Sequence, residues 1–70
     1  MGDYEKARFH YQKSLDINIQ INNKIGEGLC KQNLGSLAIQ MNDLDAAEKL
    51  LNESKKILEQ QNSEHIYGTL

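Results

Sequence analysis

Apolar residues recur along this chain in steps of three and four, the spacing that gathers them on one face of an α-helix. Tyr4, Ala7, Tyr11, Leu15 and Asn18 form one such stripe, widened by Phe9, Ile17 and Ile21. Ile25, Leu29, Cys30, Leu34, Leu37, Ala38 and Met41 form a second. Leu44, Ala47, Leu51, Ser54 and Leu58 form a third, flanked by Leu50 and Ile57. Each stripe predicts an amphipathic helix that hides one face against a neighbour. The interruptions share a composition: Asn22-Asn23, Asn42-Asp43 and Asn62-Ser63. The first residue of each pair can take the left-handed conformation that ends a helix, and the second can cap the next. Gly2-Asp3 reads the same way, with Glu5 and Asp45 in first turns where the helix dipole favours negative charge. Helices are therefore expected near 3–21, 24–41 and 43–61, with a fourth opening near 64. Connections this short make neighbouring helices antiparallel.

The pattern also repeats. Displacing the sequence by forty positions brings Asp3 onto Asp43, Ala7 onto Ala47, Ser14 onto Ser54, Ile17 onto Ile57, Asn22 onto Asn62 and Gly28 onto Gly68. Tyr4/Leu44 and Tyr11/Leu51 keep their apolar character. A fixed period of this length is the signature of stacked structural repeats.

The residues that carry the repeat resemble a known family. Gly2-Asp3-Tyr4-Glu5-Lys6-Ala7, followed by Tyr11 and Ser14-Leu15, is similar to the second helix of a tetratricopeptide repeat. Asn42-Asp43-Leu44-Asp45-Ala46-Ala47, with Leu51 and Ser54, follows the same pattern more loosely. Ile25-Gly26-Glu27-Gly28 and Asn33-Leu34-Gly35 resemble the first helix of the class with units near 40 residues. The resemblance implies an all-α fold of antiparallel helix hairpins stacked as a right-handed solenoid segment. It divides the chain into the second helix of one unit (1–23), one complete unit (24–63) and the start of the next (64–70). Gly35 and Ala47 are expected to be small because the two helices of a hairpin cross closely there.

By the same resemblance the chain is a non-enzymatic scaffold that receives a peptide or partner helix in a concave groove lined by first helices. The groove positions would be Leu29, Gln32, Asn33, Ser36, Ile39 and Gln40. Asn33 leads them, because a side-chain amide can both donate to and accept from a ligand backbone. Related peptide-binding repeats often carry an arginine where Leu29 stands, which argues against a strongly acidic ligand. Repeat arrays normally contain three or more units and a polar capping helix. No cap is visible here, so the chain reads as a fragment of a longer array or as one completed by self-association. The faces for self-association would be Tyr4, Tyr11, Leu51 and Tyr67.

Charge and candidate chemistry narrow this picture without redirecting it. Net charge is −2 and the eight basic residues are scattered, so the basic stripe of a nucleic-acid binder is missing. Apolar runs are too short to span a bilayer. The N-terminus lacks a signal peptide's basic start and apolar stretch, which makes the cytoplasm the expected location. Cys30 is the single cysteine and sits in an apolar rhythm, the pattern of a small core residue and not a nucleophile. His10 and His65 share no ligand spacing with it, so neither metal nor cofactor is expected. The carboxylates fall on solvated faces in no acid–base pair. Gly26-Glu27-Gly28 lacks the strand and further glycines of a phosphate loop. Lys31 and Lys55-Lys56 could attract an acidic segment, although isolated surface lysines seldom do.

Overall fold

The computed structural model describes the backbone of residues 3–68 and the side chains of residues 3–61. They form three helices in sequence: α1 (Asp3–Gln20), α2 (Lys24–Gln40) and α3 (Leu44–Gly68). Helix α2 is the shared wall, packing against α1 on one side and α3 on the other.

The two turns are built alike. Asn22 and Asn42 both lie in the left-handed region, with φ of 58° and 64°. The amide of Asn22 donates to the carbonyl of Ile19, and that of Asn23 to the carbonyl of Asn18 at 2.8 Å. Forty residues would be one unit, but here twenty residues later the same pair recurs: Asn42 to Ile39, and Asp43 to Ala38 at 2.8 Å. This double bond from the two residues beyond a helix end satisfies carbonyls that the helix itself leaves open. The second residue of each turn then caps the next helix. The Asn23 side chain accepts from the amide of Gly26 at 3.1 Å, and that of Asp43 from the amide of Ala46 at 3.3 Å. One dipeptide therefore closes one helix and opens another.

The sequence pattern places a further turn at Asn62-Ser63, where α3 instead continues unbroken to Gly68. The segment read as the opening of a fourth helix is thus the C-terminal end of the third. An interior Asn costs a helix only about 0.7 kcal/mol relative to Ala. A left-handed turn at Asn62 needs a returning helix with enough apolar face to bury, as α2 and α3 supply after Asn22 and Asn42. The expected turn at Gly2 lies outside the described residues.

Burial follows the stripes, but more narrowly than the sequence pattern suggests. Leu15, Cys30, Leu34, Leu37, Ala38 and Ala47 are buried. Leu15, Cys30 and Leu34 form one cluster across α1 and α2, with Tyr11 and Leu50 packed against it. Phe9, Ile17 and Ile21, read as widening the α1 stripe, are exposed, as are Ile25, Leu29 and Leu44. The reason is geometric. The chain measures 49 × 23 × 13 Å, so each outer helix has a neighbour on one side only. Among the described residues no large side chain is completely enclosed.

The α2–α3 crossing is close, as its small residues predict. A Cβ built on Gly35 would lie 2.7 Å from both Cγ and Cδ2 of Leu51. Leu51 cannot retreat by a terminal rotation alone, since its Cγ is part of the clash. On Gly28 the same atom would meet Leu58 at 2.9 Å. Beside that glycine the buried Ser54 hydroxyl donates to the Gly28 carbonyl at 2.7 Å. Close backbone approach and one buried hydrogen bond fix the register of the hairpin.

Candidate functional site

Helix α2 is two-faced. Its buried side carries Gly28, Cys30, Leu34, Gly35, Leu37 and Ala38. On the other side Leu29, Gln32, Asn33, Ser36, Ile39 and Gln40 are all exposed. At 3.6 residues per turn these six positions fall within an arc of about 120°. All six candidate groove residues therefore share one open surface of one helix. Ile25, which the sequence pattern assigns to the core stripe, joins them and is 53% exposed. Leu29 and Ile39 are half exposed as well, so the surface alternates aliphatic side chains with amides. No charged residue lies in that arc. Lys24, Glu27 and Lys31 all project from the opposite half of the helix.

Those charges are engaged inside the chain. The Glu27 carboxylate, largely buried, lies 3.5 Å from the ammonium groups of both Lys24 and Lys31. Lys31 also reaches Glu53 of α3 at 3.5 Å, tying the two helices together. Lys31 is thus an internal bridge and not a free cation for an acidic partner. A buried carboxylate survives only when so paired. The sequence gives no sign of the link between helices, because Lys31 and Glu53 are far apart along the chain.

The candidates for self-association are not brought together as one surface. Tyr4 is exposed, whereas Tyr11 and Leu51 are half-buried against α2. Tyr11 packs on the Leu15–Cys30–Leu34 cluster, and Leu51 lies over Gly35. The side chain of Tyr67 lies outside the described residues. Besides Tyr4, the open apolar residues of α1 are Phe9, Ile17 and Ile19, with Ile21 just past its end.

Cys30 is buried, and its sulfur accepts from the Asn18 side-chain amide at 3.4 Å. Among the described residues no group of three or more His, Cys, Asp or Glu converges as a metal site. His65 lies outside the described side chains. No described helix is long and apolar enough to cross a membrane.

A family model for the tetratricopeptide repeat matches residues 1–60. No curated protein and no solved structure matches the chain significantly. The match covers both turns, the whole of α1 and α2, and α3 as far as residue 60. Its members are helical hairpin solenoids that generally mediate protein–protein interaction and are typically not catalytic. With its paired helices, repeated turns and close glycine crossing, this chain belongs to the tetratricopeptide repeat family.

Proposed function

We propose that the exposed face of α2 binds an uncharged peptide or helix of a protein partner. The observation that carries this reading is the face itself, where Leu29, Asn33, Ser36 and Ile39 stand open with no charge among them. Half-exposed aliphatic side chains gain from being covered, at roughly 25 cal/mol per Å² of apolar area. Between them, Gln32, Asn33 and Gln40 can pair with a ligand backbone in both directions. The surface is short, so this unit supplies one element of a groove whose neighbours come from further first helices, with a unit boundary at 23/24.

Peptides selected against the chain from a random library test the reading. Asn33→Ala and Leu29→Ala should each weaken the selected peptides about tenfold, the value of one lost hydrogen bond or aliphatic contact. Raising salt from ~0.05 to ~0.5 M should change affinity little, because an uncharged contact is not screened. Peptides that are uniformly acidic, or indifferent to both substitutions, would remove α2 from the function.

Self-association is the alternative, favoured by Phe9, Ile17, Ile19 and Ile21, apolar side chains left exposed along α1 and just past its end. Light scattering over a hundredfold range of concentration separates the two readings. A mass that climbs with concentration supports assembly, and a constant monomer mass excludes it.

A further inference from the structure

Helices α1 and α3 both lean on α2 without packing on each other, and a cleft opens between their N-terminal halves. It lies over Leu34, Leu37 and Ala38, residues of the buried side of α2, and is therefore distinct from the exposed face discussed above. Leu50 of α3 completes the apolar floor, and Arg8 and Gln12 of α1 form the rim. Its volume is about 180 Å³. An apolar cavity of roughly 150 Å³ holds one benzene ring, so this cleft has room for a single aromatic side chain.

Three polar side chains at its edge make local bonds. Gln12 donates to Asp16 at 3.2 Å, and Asp43 is occupied in capping α3. One terminal N–H of Arg8 donates to Glu5 at 3.2 Å, an ion pair whose two side chains are more than half exposed. Guanidinium N–H groups lie in the plane of the group, so a bond through one of them leaves the flat face able to stack on a ring. An occupant thus has an apolar floor to cover and one cation at the rim to stack against.

We propose that this α1–α3 cleft is a second binding site, one that takes an aromatic side chain of a protein partner under the Arg8 guanidinium. It does not depend on the α2 face, and each site can fail without the other.

The test is a titration of the ¹⁵N-labelled chain with N-acetyl-phenylalaninamide, followed by amide chemical shifts. Shifts should concentrate at Arg8, Gln12, Ala38, Ala46 and Leu50 and spare Asn33 and Ser36. Arg8→Gln, a change at an exposed position, should weaken the probe about two- to fivefold, the range for an exposed cation–π contact. The saturated-ring analogue, N-acetyl-cyclohexylalaninamide, should bind more weakly than the aromatic probe and be indifferent to Arg8→Gln. Equal binding of both probes, or shifts spread evenly over the chain, would overturn the proposal. So would shifts at the cleft that appear on concentrating the protein alone and vanish in Phe9→Ala, which would give the cleft to a second copy.

Discussion

Ser14 and Ser54 are the same residue forty positions apart, and the structure treats them oppositely. Ser54 is buried with its hydroxyl on the Gly28 carbonyl, whereas Ser14 is exposed and its backbone carbonyl accepts from Asn18. Ser54→Ala should lower stability by about 1–2 kcal/mol, since it removes a buried hydrogen bond. Ser14→Ala should change it by no more than about 0.5 kcal/mol. Urea denaturation of both variants measures the contrast directly, and equal effects would mean that the buried bond contributes nothing. The turn asparagines can be tested in the same way. At a φ of 58°, Asn22→Ala loses the tolerance asparagine has for the left-handed region and costs about 1 kcal/mol, while Asn22→Gly avoids that strain. A melting temperature lowered by Ala and kept by Gly identifies backbone conformation, and not the amide group, as what the position requires.

The three helices and their turns were legible in the sequence because they are local. Steps of three and four need no knowledge of tertiary structure, and an Asn pair carries its own helix stop and start. What was not legible depends on which faces find a neighbour. Ile17 and Ile57 are equivalent in the repeat, yet Ile57 packs beside Gly28 and Ile17 faces outward. Ile25 is as apolar as Leu34 and belongs to the open face. The six groove positions, taken from the family resemblance, lie on one exposed face of α2. The Glu27–Lys31–Glu53 bridge was not foreseen, because it joins two helices. Tyr11 shows the practical consequence for α1. Because it packs on Leu15, Cys30 and Leu34, Tyr11→Glu should detach α1 and not merely prevent association. Hydrogen exchange should then rise throughout residues 3–20 while α2 and α3 keep their protection, at least in the turns nearest Gly28 and Gly35. Unchanged exchange in α1 would show that Tyr11 does not hold the helix in place.

As a whole the molecule is a row of three helices, and its thinness decides how it responds to change. The α2–α3 hairpin has the glycine crossings, the Ser54 bond and the Lys31–Glu53 bridge, while α1 is held by one apolar cluster and the Asn18 contact to Cys30. In a one-dimensional array each element feels only its neighbours, so damage to α1 is transmitted to α3 only through α2.

The two asparagine turns also have a kinetic meaning. Each helix packs only on the one before or after it in the chain, and each turn spans three residues between helix ends. No long loop must close before a contact is rewarded, and the entropy of closing a loop grows with its length. The chain should therefore fold on the microsecond to millisecond scale typical of helical proteins with local contacts. Temperature-jump relaxation of the helical signal would measure it, and a relaxation lasting seconds would be inconsistent with purely local assembly. Search time, for this chain, is set by the turn and not by the distance the ends must travel.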